Sequence, residues 1–282
     1  MLTHLSLFSG IGGLDLAAEW AGFRTVGQCE WADYPTGILE KHWPEVPRWR
    51  DIRTLTLEDF YARTGMRTVD IISGGFPCQP FSVAGKQKGK GDERYLWPEM
   101  RRVIAELTPR WVLGENVPGI LRIAACDIVA DLEREGYDVV LFDFEAAAVG
   151  AKHRRERIAF VANEDSGFME NTYSNRCIEQ EVLSKQQRRA KFERPSKTMA
   201  NSMCNGQFAT EIANRCWERQ STEDDRENRI KSWWTFEPNV GRVAHGIPDR
   251  VDRIKCLGNA VVPQQFYPIF KAIAEIEMEA GA

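Results

Sequence analysis

The chain has 282 residues, a hydrophobic fraction of 43% and a formal net charge of −4 at pH 7. This length is enough for one large α/β domain, or for a domain that carries a small inserted one. No run approaches the roughly 18 apolar residues of a membrane-spanning helix. Because the net charge is negative, any nucleic-acid binding must come from local basic patches. The seven cysteines are odd in number and form no CxxC pair, so we expect reduced thiols and neither a disulfide framework nor a structural zinc site.

From the N-terminus to about residue 162, strand patterns alternate with helix patterns. Residues 1–4 lead directly into the first strand and show no signal peptide. We predict strands over 4–8, 25–30, 69–73, 111–114, 139–144 and 157–162, and helices over 12–22 and 128–135. This alternation predicts a largely parallel sheet with helices on both faces.

The composition changes at Asn163, and the chain stays polar to about residue 239. A polar segment with few aliphatic clusters is typical of a disordered insert. However, its aromatic content exceeds what a solvated linker needs, so we favour a small, irregular domain. Its Phe and Trp residues are Phe168, Phe192, Phe208, Trp217, Trp233, Trp234 and Phe236. Beyond residue 241 the pattern is globular again, and a helix predicted over 263–278 should pack onto the first part.

A cysteine between two prolines follows the predicted strand 69–73, in the sequence GGFPCQPFS at residues 74–82. A strand that ends in a Gly-Gly turn delivers Cys78 to the carboxyl edge of the sheet, where open α/β proteins bind ligands. The prolines fix φ and remove backbone donors, which restricts how the loop presents the thiol. Cys78 is a candidate nucleophile, although a buried, inert cysteine is an equally good interpretation of this window alone. The Gly/Lys-rich stretch 83–94 suits either a lid over a phosphate backbone or a flexible surface loop.

The motif FSGIGG at residues 8–13 lies between the first predicted strand and helix. Glycines here let the backbone approach a ligand at a helix N-terminus, but the spacing is not GxGxxG and a tight turn without a ligand is the alternative. Glu30 ends the second strand, where an acidic residue can accept both hydroxyls of a ribose. Trp31 offers a face for an adenine or a sulfonium, and Asp51 is placed to meet an adenine edge or to be an ordinary surface carboxylate.

Two further motifs adjoin strands. GENVPG at residues 114–119 brings Glu115 to the same sheet edge as Cys78, where a partly desolvated carboxyl group can donate a proton; a helix cap or a surface ion pair is the plainer reading. KHRRERI at residues 152–158 enters another strand, whose alternation would place Arg155 and Arg157 on one side. Two arginines aimed at one site suit an anion or a carbonyl oxygen, whereas a solvated charge run is the alternative.

Together these motifs resemble the bacterial and phage DNA (cytosine-5) methyltransferase family. FSGIGG, CEW, GGFPCQPFSVAGKQKG, GENVPG, RRERI and LGNAVVP occur in the family's order and spacing. Residues 163–240 resemble the family only by their position, and residues 242–248 fit the ninth motif loosely. The resemblance implies a Rossmann-like S-adenosylmethionine-dependent methyltransferase fold. It implies a catalytic domain over 1–162, a target-recognition domain over 163–240 and a C-terminal segment, 241–282, that completes the catalytic domain.

The resemblance also implies roles for single residues. Cys78 matches the nucleophile that adds to carbon-6 of a cytosine flipped out of the duplex, Glu115 matches the acid at ring nitrogen 3, and Arg155 and Arg157 match the residues that hold the base and the catalytic groups. S-adenosylmethionine, with no metal, should bind at Phe8, Gly10, Gly12, Glu30, Trp31, Asp51, Ile52, Pro77 and Asn259. DNA contacts are expected from Gln79, Ser82, Lys86 and Arg94.

Three other interpretations compete with a DNA methyltransferase. A tRNA cytosine-5 methyltransferase shares these motifs but carries a Cys-Phe-Thr signature, whereas Cys177, Cys204 and Cys216 are followed by Ile, Asn and Trp. A catalytically silent binding protein would be suggested by loss of Cys78 or Glu115, and both are present. A dinucleotide oxidoreductase predicts GxGxxG, which the glycine motif lacks.

We therefore expect a monomeric, cytoplasmic bacterial enzyme that acts on double-stranded DNA and does not bind membranes. The target sequence, a phage origin and a cognate restriction endonuclease encoded nearby stay open, because no transferable code links recognition residues to bases.

Overall fold

The computed structural model describes residues 1–77, 95–164 and 249–280. The strands are β1 (Thr3–Leu7), β2 (Arg24–Cys29), β3 (Arg48–Trp49), β4 (Ile71–Gly74), β5 (Trp111–Asn116), β6 (Asp138–Phe144) and β7 (Arg157–Asn163). The helices are α1 (Gly13–Trp20), α2 (Asp33–His42), α3 (Leu57–Thr64), α4 (Trp97–Leu107), α5 (Ile120–Ile123), α6 (Ala125–Arg134), α7 (Arg250–Asn259) and α8 (Pro263–Ala280). Short 3₁₀ turns span Ile52–Thr54 and Ala146–Val149.

The strands form one seven-stranded sheet in the order β3-β2-β1-β4-β5-β7-β6. β2 pairs in parallel with β1 and β3, and β4 pairs in parallel with β5. β7 runs antiparallel between β5 and β6. The predicted α/β, mostly parallel, Rossmann-like architecture is therefore confirmed. No helix among the described residues is long and apolar enough to cross a bilayer.

The six predicted strands are present, with ends that shift by one or two residues. The shift that matters is in β5, which continues through Glu115 and Asn116 instead of ending at Gly114. The continuation has a partner, because Glu115 lies opposite Ala159 of β7 and Asn116 lies opposite Ile158. Glu115 is thus held in a strand and not in the loop that the sequence suggested.

The described residues divide into two compact units. The first unit contains β1–β3, α1, α2, α7 and α8. Its core is built on α8, whose buried Phe270 makes edge-to-face ring contacts with His4 at 5.5 Å and with Phe23 at 5.6 Å. The predicted C-terminal helix is confirmed, and it packs onto α1 as expected.

The second unit contains β4–β7 and α3–α6. Its core is formed by β5, which is buried along its whole length, with the buried face of α6 packed on β6. The helix predicted over 128–135 is present as α6, and Gly136, just beyond it, has a φ of 92°. In this unit Gly74 of β4 lies directly opposite Gly114 of β5, so the segments that follow these glycines start side by side.

The predicted recognition segment, residues 163–240, lies outside the described residues except for its first two positions. The two predicted domain boundaries, after residues 162 and 240, therefore stay predictions.

Candidate active site

In the second unit, Glu115 and Arg157 form a nearly buried ion pair. The Arg157 Nε lies 2.7 Å from the Glu115 Oε1, and the two side chains are only 12% and 11% exposed. The pair follows from the antiparallel register, because Arg157 is the first residue of β7 while Glu115 is near the end of β5. An ion pair so far removed from water is rigid, and the charge of Arg157 fixes the position of the carboxylate.

The chain leading to Cys78 lies against the same carboxylate. A Cβ placed on Gly75 would be 2.7 Å from the Glu115 Oε2, so only glycine leaves room for the carboxylate here. The Asn116 Nδ2 donates to the carbonyl oxygen of Phe76 at 3.0 Å, and the Asn116 Oδ1 accepts from the Val117 N–H at 2.9 Å. Asn116 thereby ties residues 75–77 to the end of β5.

Gly75 and Asn116 are the residues of this unit that the sequence analysis did not assign. The sequence contains a signal for Asn116. A side-chain amide next to a candidate acid at a strand end can donate to a backbone carbonyl oxygen of the neighbouring segment. Pro77 is the last described residue of this segment and is partly buried. Cys78 and the predicted DNA contacts Gln79, Ser82, Lys86 and Arg94 lie outside the described residues.

In the first unit, the glycine motif forms the tight turn between β1 and α1. Phe8 has a φ of 54°, a conformation that a non-glycine residue rarely adopts and that is common at functional sites. Gly12, with a φ of 86°, needs to be glycine for packing, because a Cβ there would lie 2.5 Å from the Trp43 ring. A Cβ on Gly10 would meet no atom within 4 Å, so the open side of the turn is at Gly10.

Glu30 is bound to this turn. Its Oε2 accepts from the Gly10 N–H at 2.8 Å, and its Oε1 accepts from the Ala32 N–H at 2.8 Å. Each carboxylate oxygen has a second lone pair, so both can still accept from a ligand hydroxyl. Trp31, next to Glu30, is 70% exposed and presents a free aromatic face. The structure thus brings Gly10 and Glu30 together, with Trp31 beside them.

The other predicted cofactor residues have different degrees of access. Asp51 is partly buried and caps the following 3₁₀ turn, since its Oδ1 accepts from the Arg53 N–H at 3.0 Å. The Ile52 side chain is 3% exposed and belongs to the core. Asn259 is exposed at the C-terminal end of α7.

Arg155 departs from the expected arrangement. β7 begins at Arg157, and Arg155 has a φ of 41°, so strand alternation does not place the two arginines on one side. Arg155 instead donates from its Nη2 to the carbonyl oxygens of Gly258, at 2.7 Å, and Ala260. The two arginines therefore have different partners.

Two of the described cysteines, Cys29 and Cys256, have environments that disfavour a thiolate. Burial, with Glu30 and Asp51 nearby, raises the pKa of the Cys29 thiol to about 12. Burial likewise raises the pKa of Cys256, while Cys126 is exposed on α6. Among the described residues, no group of three or more His, Cys, Asp or Glu side chains could hold a metal ion.

The chain is similar to several known proteins. The model of the family described as C-5 cytosine-specific DNA methylase matches residues 2–242. The chain is 36% identical over 162 residues to the Type II methyltransferase M.FnuDI of Fusobacterium nucleatum, which covers 56% of this chain and 45% of that protein. It is 35% identical over 170 residues to the Type II methyltransferase M.NgoFVII of Neisseria gonorrhoeae, with 58% and 44% covered.

Among the solved structures, one example is similar to this chain in both sequence and fold. A prophage-encoded chain from E. coli, described as a DNA modification methyltransferase, is 28% identical with a TM-score of 0.52, and the match covers 61% of this chain and 49% of that one. The chain thus spans about half the length of the curated relatives it matches.

Proposed function

This chain belongs to the C-5 cytosine-specific DNA methylase family, and on that basis we propose that it transfers a methyl group from S-adenosylmethionine to carbon-5 of a cytosine in duplex DNA. The observation that carries the proposal is the rigid Glu115–Arg157 pair beside residues 75–77, the segment that leads into Cys78. A buried carboxyl group held against the segment that leads into a candidate nucleophile suits addition to a pyrimidine ring.

The proposed chemistry begins at the thiol of Cys78. Carbon-5 of cytosine is a poor nucleophile, and addition of a thiolate to carbon-6 with protonation of ring nitrogen 3 converts the ring into an enamine, which makes carbon-5 nucleophilic. The methyl group is then bonded to carbon-5, and a base takes the carbon-5 proton. Elimination of the Cys78 thiolate from carbon-6, with return of the nitrogen-3 proton to Glu115, restores the ring and the enzyme. The base must leave the helix first, because carbon-6 is not accessible inside stacked DNA.

Glu115 is assigned to ring nitrogen 3. Its carboxyl group is nearly buried. The Arg157 guanidinium on one oxygen and the close approach of Gly75 to the other fix the orientation of the carboxyl group. Arg157 can hold the carboxylate in place, and its guanidinium charge suits a carbonyl oxygen of the base. This division of roles explains why an acid and an arginine lie together at the end of β5.

The first unit suits the methyl donor. Gly10 leaves open space at the turn, the carboxylate of Glu30 retains free lone pairs, and the exposed Trp31 offers a face that attracts cations. These residues, with Phe8, Asp51 and Asn259, would hold S-adenosylmethionine, which supplies an electrophilic methyl group when bound. No metal is needed for the roles assigned to these side chains.

The experiment combines a covalent trap with mapping of the product. Duplex DNA carrying 5-fluorocytosine at target cytosines should trap the wild-type chain, because fluorine cannot leave as a proton does, and bisulfite sequencing of DNA from expressing cells should show methylated cytosines in one sequence context. Cys78→Ser should abolish both signals, because an alcohol of much higher pKa cannot replace the thiolate. Cys126→Ser, a change of the exposed cysteine on α6, is the matched control and should behave as wild type. Trapping by Cys78→Ser, or methylation of RNA in place of DNA, would contradict the proposal.

Sequence recognition is assigned to residues 163–240, which the structure describes only at Asn163 and Glu164. The support is the position of this segment between the motif blocks and its mixture of basic and aromatic residues. Exchange of the segment with that of a relative should change which cytosine is methylated. Since the matched relatives are Type II methyltransferases, a restriction endonuclease of the same specificity is the proposed partner.

A further inference from the structure

Arg155 is held in a strained backbone conformation by contacts on both sides. Its φ of 41° lies in the left-handed region, which is unfavourable for a non-glycine residue and persists only where surrounding contacts enforce it. One such contact is made by Gln265, whose Nε2 donates to the Arg155 carbonyl oxygen at 2.9 Å. Gln265 is 1% exposed within α8, so the backbone of Arg155 is attached to a rigid part of the first unit.

The Arg155 side chain caps the end of α7. Its Nη2 donates to the carbonyl oxygens of Gly258 and Ala260, the two residues that flank Asn259. Carbonyls in the last turn of a helix lack donors from the helix itself, and a cation there interacts favourably with the helix dipole. α7 has no basic residue in its last turn, so Arg155 supplies that charge from another segment.

The capped segment lies directly against the glycine-rich turn. A Cβ placed on Gly13 would be 2.6 Å from the Val261 Cγ2 and 2.9 Å from the Val261 carbonyl oxygen. Gly13 is the first residue of α1, and Val261 follows Ala260 immediately. Residues 258–262, which we call the capped segment, therefore fill the space beside the turn and are fixed from behind by Arg155.

We propose that Arg155 is a positioning residue for the methyl donor and not for the cytosine: it seats the capped segment, and with it Asn259, against the glycine-rich turn. This proposal rests on the proposed function of that turn as the S-adenosylmethionine site. It assigns the two arginines of the RRERI motif to different substrates, since Arg157 contacts Glu115 while Arg155 contacts the backbone on both sides of Asn259.

The test separates affinity for the methyl donor from turnover. Hydrogen bonds to a charged group contribute about 1.5–3 kcal/mol, so Arg155→Ala should weaken S-adenosylmethionine binding by roughly 10- to 100-fold in calorimetric titration. Turnover at saturating S-adenosylmethionine and affinity for duplex DNA should stay near wild type. The KM for S-adenosylmethionine should therefore rise while kcat is unchanged. The S-adenosylmethionine affinity of Arg155→Lys should fall between those of wild type and Arg155→Ala, because an ammonium still donates to a carbonyl. Arg154→Ala is the matched control, since Arg154 is an exposed arginine in the same loop, and its S-adenosylmethionine affinity should match that of wild type.

Hydrogen exchange without any ligand provides a second readout. The Ala260 N–H donates to the Cys256 carbonyl oxygen at 2.8 Å, and the Gln265 N–H donates to the Val262 carbonyl oxygen at 2.9 Å. In Arg155→Ala these amides should exchange faster, while those of β5 and β6 keep their wild-type rates. Faster exchange confined to residues 256–265 supports the proposal even if the wild-type chain were to bind no S-adenosylmethionine, an outcome that would contradict only the proposed function.

Two results would overturn the positioning role. One is a loss of turnover at saturating S-adenosylmethionine with unchanged affinity and unchanged exchange, which would return Arg155 to the cytosine. The other is wild-type behaviour in every measurement. If Arg155→Ala fails to fold, affinity, turnover and hydrogen exchange are measured on Arg155→Lys. The same results would then support or overturn the positioning role.

Discussion

Gly75 and Glu115 approach each other so closely that a single methyl group cannot be placed between them: a Cβ on Gly75 would lie 2.7 Å from the Glu115 Oε2. The carboxylate cannot simply turn away, because its other oxygen is held 2.7 Å from the Arg157 Nε and both side chains are nearly buried. The contact arises from the parallel register, in which Gly74 of β4 lies opposite Gly114 of β5. The position of the candidate acid is thus set by backbone on one side and by an ion pair on the other.

Gly75→Ala should therefore displace the carboxylate and slow methyl transfer by about 10²-fold, the cost typical of a misplacement near 1 Å at a reacting centre. Affinity for S-adenosylmethionine should stay near the wild-type value, because all the residues assigned to the cofactor except Pro77 belong to other segments. The measurement is a single-turnover rate with both substrates saturating. Gly37→Ala is the matched control, since a Cβ on Gly37 of α2 meets no atom within 4 Å. Equal rates for Gly75→Ala and wild type would show that the exact position of Glu115 is unimportant.

Glu115→Gln keeps the shape of the side chain but removes both the acid and its charge. A general acid commonly contributes about 10²–10⁴-fold in rate, so we expect a fall of that size in the single-turnover rate. Binding of S-adenosylmethionine, followed by titration, should change little. Glu156→Gln alters an exposed glutamate next to Arg157 and serves as the control for a loss of charge alone. If turnover by Glu115→Gln equals that of wild type, another group protonates the ring.

The positions of these side chains show what a sequence can predict here. Apolar runs and glycine turns were enough to locate six strands, and the rule that ligands bind at the carboxyl ends of parallel strands was enough to group Glu115 with the segment before Cys78. β3 was not predicted, because two residues carry no periodicity. The direction of β7 was not predictable either, since the pattern of a buried strand is the same whether its neighbours are parallel or antiparallel.

Arg155 shows a different limit of sequence reasoning. Strand alternation predicts the side of the sheet on which a side chain lies only where the backbone is extended. The φ of 41° at Arg155 is set by contacts with Gly258, Ala260 and Gln265, about a hundred positions away. In contrast, the glycines of the FSGIGG motif have different local reasons to be glycine, and their role in cofactor binding stays a prediction. Gly12 and Gly13 are required by the packing of Trp43 and Val261, and the open space lies at Gly10.

Asn116 should matter for turnover although it has no chemical role in the proposed reaction. Its Nδ2 donates to the Phe76 carbonyl oxygen at 3.0 Å, one residue before Pro77, and Asn116 is 3% exposed. Asn116→Asp removes the donor and places a carboxylate against a carbonyl oxygen, so it should lower both the rate of trapping by 5-fluorocytosine DNA and the thermal stability. Asn116→Ala removes the same bond without the repulsion and should have a smaller effect on stability. If both variants are trapped at the wild-type rate, the tie between β5 and residues 75–77 does not position the thiol.

Asp15 should make the fold less stable as the pH rises. Burial raises the pKa of this carboxyl group from 3.8 to about 6, against the opposing effect of hydrogen bonds from Gln28 and Ser6. Because the folded chain holds this proton more tightly than the unfolded chain, stability is lost between about pH 4 and pH 6, and the cost at pH 7 is about 3 kcal/mol. Asp15→Asn should therefore unfold at higher urea concentration than wild type at pH 7, with the difference vanishing near pH 4. A difference that is independent of pH would contradict the assignment.

His4 should have the opposite dependence on pH. Burial lowers the pKa of its imidazole from 6.5 to about 3, and its Nδ1 lies 3.0 Å from the Thr25 Oγ1 inside the first unit. The unfolded chain takes up the proton first as the pH falls, so the stability associated with a neutral His4 is complete above pH 6.5 and is lost towards pH 3, by about 5 kcal/mol. His4→Gln loses the ring contact with Phe270, so it should be less stable than wild type at pH 7. Because glutamine cannot take up a proton, the variant should lose less stability on acidification. The two urea midpoints, measured from pH 7 to pH 4, should converge or cross, and parallel curves would show that His4 is not the group that titrates.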